Sequence, residues 1–251
     1  MSLLKSLIIA FSTYSKIPMP RVEWNEKNMK YSLIFFPFIG VVIGGLLCGW
    51  WWLSNAFGFG SFLRSAIALS IPVLVSGGIH LDGFADTVDA LSSYQSRERK
   101  LEILKDPHTG AFAVIGLSMY FILYFGALTE LKSLKAYLLI SLGFILSRAF
   151  SGLALVLLRS AKKEGLLYAF SSAAHRKITG ILLGVIILAC AGAMVYVDGK
   201  GGIALLLIAV LVFGYYRRVS YRQFGGITGD LAGFFLQVCE LAMAAGVAVI
   251  L

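Results

Sequence analysis

The chain has 251 residues, of which 59% are hydrophobic and only 14% charged, and its mean hydropathy is +0.85. Such values exclude a soluble globular domain and a disordered one, and place the chain among integral membrane proteins. The formal net charge of +9 would suit a polyanion, but the basic residues are sorted by connection rather than gathered in one patch. The expected partner is therefore the lipid bilayer and no nucleic acid.

The first residues carry Leu3, Leu4, Leu7, Ile8 and Phe11 at helical spacing, interrupted by Lys5, Ser6 and Ser12. This stretch is too short and too amphipathic to span and reads as a short N-terminal interfacial helix. No small-x-small site follows Phe11 and the next positive charge waits until Lys16, which argues against a cleaved signal peptide. Apolar runs near the length that crosses the hydrocarbon core follow at 31–53, 61–79, 111–128, 136–158, 178–197 and 231–251, with a shorter seventh at 202–216. The expected fold class is all-α, a polytopic membrane helix bundle with about seven transmembrane helices. No polar linker separates two folded units, so residues 1–251 are expected to form a single membrane domain.

Glycines recur inside the spans, as at Gly40, Gly44, Gly45 and Gly49, which suits close helix packing in lipid. Cys48, Cys190 and Cys239 fall in three different spans and imply neither a disulfide framework nor a thiolate metal site. Of the 22 Lys and Arg residues, 17 lie in segments 1–30, 80–110, 159–177 and 217–230, and only 4 in the alternate connections. Under the positive-inside rule this puts the N-terminus in the cytoplasm, gives seven crossings and leaves the C-terminus outside. The longest cytoplasmic loop, 80–110, is expected to hold a short helix through its first aspartates and another from about Ser96 to Lys105, stopped by Asp106 and Pro107.

That loop opens with GGIHLDGFADTVD at 77–89, in a chain with thirteen carboxylates altogether. On a helix, residues four and seven apart lie at about 40° and about −20° from the first, so Asp82, Asp86 and Asp89 share one stripe. Adjacent carboxylates repel, and Asp82 sits at the membrane boundary, where an unpaired charge is costly. A hard divalent cation, Mg²⁺ or Mn²⁺, relieves both penalties and suits phosphoryl transfer, so the three are the candidate metal ligands. A solvated amphipathic helix is the plainer alternative. Asp106 closes the same loop in KDPHTGAF, either as a helix stop or as part of a site. His80 and His108 have no zinc-type partner three or four residues away, which favours hydrogen bonding over ligation.

Arg148, inside a span, needs either a phosphate or an intramembrane acid such as Glu240, and the two readings stand level. In the last span Asp230, Gln237 and Glu240 form a polar stripe turned toward the bundle interior. Residues 225–230, GGITGD, repeat the Gly-Gly-Ile-x-x-Asp frame of GGIHLD at 77–82, and two such turns could bring Asp82 and Asp230 around one cavity. Arg97, Arg99, Lys100, Lys162 and Lys163 read as a membrane-facing charged surface.

FSTYSKIPMP at 11–20, GGIHLDGFADTVDAL at 77–91, LKDPHTGAFAVIGL at 104–117 and GGITGDLAGF at 225–234 together resemble the cobalamin synthase family, also called adenosylcobinamide-GDP ribazoletransferase. The resemblance implies the last assembly step of cobalamin, in the inner cell membrane with the site facing the cytoplasm. There the 3′-hydroxyl of α-ribazole, or of its 5′-phosphate, attacks the phosphorus attached to cobinamide in adenosylcobinamide-GDP and GMP leaves. Mg²⁺ is the cofactor so implied. Carried onto this chain, Asp82, Asp86 and Asp89 become metal ligands, and one of them or Asp106 receives the hydroxyl proton, with Asp82 and Asp106 the catalytic candidates and Asp82 the most sensitive. His80, Lys105, Thr109, Arg148, Thr228 and Asp230 form the substrate-binding set. DPHTG departs from the family's more usual Asp-Ser-Arg-x-Gly, so a phosphate-touching arginine is missing and Lys105 or Arg148 would replace it. No oligomer is specified by the sequence.

A CDP-alcohol phosphotransferase would also use membrane-boundary aspartates, but Ala85-Asp86 stands where that motif has Ala-Arg, and its later Gly-x3-Asp-x3-Asp is missing. A cation-coupled transporter would spread acids near the midplane, whereas six of the thirteen carboxylates crowd residues 82–106.

Overall fold

The structure is a computed structural model and describes residues 2–251. In chain order the helices are α1 (Ser2–Tyr14), α2 (Glu26–Met29), α3 (Ser32–Ala56), α4 (Ser61–Ser76), α5 (Ile79–Ser92) and α6 (Arg97–Ile103). They continue with α7 (Ala111–Thr129), α8 (Leu134–Leu157), α9 (Gly165–Ala173), α10 (Arg176–Val197), α11 (Gly199–Val219) and α12 (Gly229–Ile250). The only β-type pairing among the described residues is an isolated parallel bridge between Ser160 and Ile227. Helices α3, α7, α8, α10, α11 and α12 are long and apolar enough to cross a membrane, and the bent pair α4 and α5 makes a seventh if counted as one span. The chain is thus an all-α, multi-pass membrane bundle.

Helix α8 is its axis, buried along most of its length and flanked by α3, α10 and α12. Contact with α3 is close because a β-carbon on Gly40 would stand 2.4 Å from the Phe144 carbonyl oxygen and one on Gly44 2.9 Å from Ser141 Cβ. Ser141 Oγ also donates to the Gly44 carbonyl at 3.1 Å. Small residues four apart let two backbones touch in this way, where lipid offers no hydrophobic drive for association. Gly45 and Gly49 have nothing within 4 Å, so two of the four span glycines make this seam and two do not.

The second apolar run, expected to reach residue 79, stops as a helix at Ser76. Gly77 and Gly78 have φ of 66° and 80°, a left-handed conformation that side-chain-bearing residues rarely adopt, and the chain turns by 94° into α5. Helix α5 is consequently not a solvated loop element. It packs on α12 and α7, burying His80, Leu81, Gly83, Phe84, Ala85, Thr87 and Ala90. The crossing with α12 depends on two glycines. A β-carbon on Gly83 would lie 2.8 Å from Asp230 Cα, and one on Gly233 2.8 Å from the His80 carbonyl oxygen. Beside them Phe84 stacks on Phe234 with ring centres 5.7 Å apart.

The seventh run is longer than its apolar core of 202–216, because α11 continues through Arg217 and Arg218 into a π-helical turn, Ser220–Phe224, closed by Gly225 at φ 80°. All longer connections gather at one end of the bundle. There Lys16 N–H donates to the Val75 carbonyl at 2.8 Å, Lys100 Nζ to Gln223 Oε1 at 2.6 Å and Ala161 N–H to the Ile227 carbonyl at 2.9 Å. The opposite end has short turns, tied by an ion pair between Lys135 and Asp198.

Candidate active site

The end that carries the long connections also holds a cavity of about 430 Å³. Six stretches of chain wall it: α1 with Tyr14, α3 with Phe36, α5 with His80 and Asp82, the residues around Lys105, those from the end of α8 into α9 with Lys162, and the α12 entrance with Thr228 and Asp230. Each is placed by local chemistry. The Gly77-Gly78 reversal starts α5 so that Asp82 falls in its first turn. Thr228 caps α12, its Oγ1 accepting from Leu231 N–H at 3.2 Å, which sets Asp230 one residue into the helix. Connection 158–164 is pinned beside it, since Ile227 N–H donates to the Arg159 carbonyl at 2.9 Å. A β-carbon on Gly226 would lie 2.5 Å from that same oxygen.

The cavity is apolar at depth and charged at its rim. Phe36 and His80 are 4% and 5% exposed, whereas the side chains of Lys105 and Glu164, which pair at 2.8 Å, are 58% and 69% exposed. Lys105 holds the Glu164 carboxyl below its ordinary range through that hydrogen bond and its charge. Lys162 donates to the Leu101 carbonyl at 3.2 Å, and partial burial, aided by Lys105, lowers its ammonium against the pull of Asp230 and Glu164.

Five of the sequence-derived site residues come together here: His80, Asp82, Lys105, Thr228 and Asp230 all line the cavity. The shared Gly-Gly-Ile-x-x-Asp frame therefore does bring Asp82 and Asp230 to one space. Asp86 stands one turn behind Asp82, half-buried, within electrostatic reach of Asp82, Asp89 and Asp230. Of the expected stripe of three, Asp89 is the one already engaged by backbone. Its Oδ2 accepts from Gly110 N–H at 2.6 Å and its Oδ1 from Ala113 N–H at 3.0 Å, so this carboxylate caps α7.

Arg148 lies elsewhere. It does not reach the cavity: its Nη1 lies 2.7 Å from Glu240 Oε1 and donates also to the Phe144 carbonyl at 3.0 Å, with both side chains of the ion pair almost fully buried. Of its two readings, the structural pair is the one found. Asp106 and Thr109 are exposed and lie outside the cavity wall. Asp106 accepts from the N–H of His108 at 3.0 Å and contacts the ring Nδ1 at 2.7 Å, which holds its carboxyl below the usual range. Lys162, taken from sequence as surface charge, belongs to the site, as do Tyr14, Glu164 and Ser160. The signals that pointed their way were the density of basic residues in 159–177 and, for Tyr14, the FSTYSKIPMP block at 11–20.

Among the described residues no three acidic, histidine or cysteine side chains converge as a ready-made metal cage. What the cavity offers is hard carboxylate oxygen, Asp82 and Asp230 with Asp86 behind. That donor set fits Mg²⁺, which is commonly held by one or two carboxylates together with substrate phosphates rather than by protein alone.

Comparison with known proteins gives the family. The cobalamin-5-phosphate synthase family matches residues 6–248. The chain belongs to that family. Cobalamin-5-phosphate synthase relatives include an adenosylcobinamide-GDP ribazoletransferase of Lachnoclostridium phytofermentans, 47% identical over 251 residues and covering 100% of this chain and 95% of the relative. Proteins of the same name are 35% identical in Clostridium botulinum strain Alaska E43, over 96% of this chain and 95% of the relative, and 36% identical in Pseudomonas fluorescens, over 96% and 97%. No solved structure matches the chain.

Proposed function

We propose that the protein is an adenosylcobinamide-GDP ribazoletransferase, joining α-ribazole or its 5′-phosphate to the activated corrinoid with release of GMP. The observation that carries this reading is the meeting of Asp82 and Asp230 on one cavity with lysines at its rim, in a chain whose full-length relatives bear that name. The ribose 3′-hydroxyl oxygen attacks the phosphorus next to cobinamide, the bond from that phosphorus to the bridging oxygen breaks, and GMP departs with the electron pair. Asp82, exposed on the cavity, receives the hydroxyl proton. Lys105 and Lys162 face the phosphates, with Lys105 exchanging Glu164 for substrate oxygen. Thr228 and Asp230 fix the α12 entrance whose first-turn N–H groups border the same space. Asp82, Asp86 and Asp230 would hold Mg²⁺, which supplies charge neutralisation of the diphosphate and of the leaving group. The positive-inside bias supports a site at the cytoplasmic face of the inner cell membrane.

Purified protein in lipid, given adenosylcobinamide-GDP, α-ribazole and Mg²⁺, is expected to form GMP and joined corrinoid in equal amounts. Chelation of divalent ions is expected to stop it. No GMP from well-folded protein would remove the activity, and turnover unaffected by chelation would remove the metal.

A further inference from the structure

The charged rim accounts for only one side of the cavity. Its deep side is an aromatic corner built from three elements: the Tyr14 and Phe36 ring centres are 4.5 Å apart, Phe36 and His80 5.7 Å, and Tyr14 and His80 6.4 Å with their planes 24° apart. Burial pushes the Tyr14 phenol upward, so it stays neutral. Within this corner His80 Nε2 is buried and has no hydrogen-bond partner, an arrangement that costs stability unless a ligand supplies one.

We infer that the corner of Tyr14, Phe36 and His80 is the subsite for the flat base of the incoming nucleoside, and that His80 selects bases with an unsubstituted ring nitrogen. The inference rests on the ribazoletransferase reading. Three physical arguments lead to it. First, in-line displacement puts the nucleophile and the leaving GMP on opposite sides of the attacked phosphorus, so ribazole and GMP cannot share one end. Second, the cobinamide half is much bulkier than a nucleoside, so it and the departing nucleotide stay at the charged mouth while the smaller nucleoside takes the buried end. Third, guanine carries several exocyclic and ring polar groups that need partners, and the corner offers mainly His80. A benzimidazole has one free ring nitrogen and otherwise apolar edges, which matches stacking surface plus a single imidazole nitrogen, the donor when His80 takes its Nε2–H tautomer.

The test measures KM separately for α-ribazole and for adenosylcobinamide-GDP in wild type, Tyr14→Leu and His80→Gln. Losing one stacking partner is expected to raise the α-ribazole KM by about tenfold, with the adenosylcobinamide-GDP KM within about twofold. His80→Gln is expected to narrow the preference for α-ribazole over a phenolic riboside that lacks the ring nitrogen. Equal rises for both substrates, or a rise for the corrinoid alone, would overturn the assignment. Should Tyr14→Leu fail to fold, the intrinsic fluorescence of α-ribazole bound to wild type decides: shielding from acrylamide is expected, and full quenching would refute the closed subsite. Wild type that releases no GMP would instead refute the enzymatic reading, so the two failures are distinct.

Discussion

Replacing one member of the Arg148 and Glu240 pair separates a structural guanidinium from a phosphate-binding one. The two side chains are 1% and 2% exposed and 2.7 Å apart, and Glu240 Oε1 also accepts from Ser147 Oγ at 3.1 Å. Arg148 lies over Phe144 and Phe36, with centroid distances of 5.5 Å and 5.9 Å, and its Nε has no partner. Glu240→Leu would strand a charge with only the Phe144 carbonyl and two ring faces to answer it. Breaking a buried pair from one side costs roughly 3–5 kcal/mol, which for a chain of this size lowers the melting temperature by about 6–20 °C. Substituting both partners by Leu removes the stranded charge, so the double variant is expected to recover more than half of that loss. Thermal unfolding in detergent, followed by tryptophan fluorescence, reads the shift, and GMP release per folded molecule is measured beside it. An Arg148→Leu variant that melts within about 2 °C of wild type yet releases no GMP would refute the reasoning and return Arg148 to the substrate.

Asp89→Ala is expected to cost about 1–2 kcal/mol, seen as earlier melting, because Gly110 and Ala113 N–H lose their acceptor. Asp89→Asn should recover part of it, and activity per folded molecule is expected to survive. Gly83→Ala drives a methyl group to 2.8 Å from Asp230 backbone atoms. It is expected to separate α5 from α12, costing about 1–3 kcal/mol and most of the GMP release, whereas Gly45→Ala, which meets nothing within 4 Å, leaves both unchanged. In a background without the three native cysteines, Glu98→Cys is expected to react with an impermeant maleimide only in opened cells. Lys200→Cys, exposed at the opposite end, is expected to react in intact ones; the reverse pattern would invert the orientation.

Much of the fold was legible because crossing a bilayer demands a length of apolar sequence that little else demands. Every one of the seven apolar runs contains a helix. Where the boundaries were off, backbone conformation had decided: apolar composition runs through Gly77 and Gly78, but their left-handed φ ends α4 and aims α5 across the bundle. At the site, Asp82 and Asp230 could be paired from sequence through their common glycine frame, which acts locally. Asp89 could not be told from its neighbours, since its periodicity is the same and its partners lie 21 and 24 residues downstream. For Arg148, composition demanded a partner but could not choose between an acid on α12 and a substrate phosphate. The roles of Lys162 and Tyr14 were hidden for a different reason: a cavity wall drawn from six separate stretches leaves no periodic trace in any of them.

The central claim is that chemistry occurs at Asp82, on the cavity where α5 meets the entrance of α12. Measuring GMP release and the melting temperature of Asp82→Asn side by side tests it most directly, because this exposed side chain supports no helix cap and no ion pair among the described residues. The account predicts release reduced by at least about a hundredfold, the lower end of what positioned acid–base groups contribute, with melting unchanged. A variant that melts as wild type and still turns over at near its rate would contradict it.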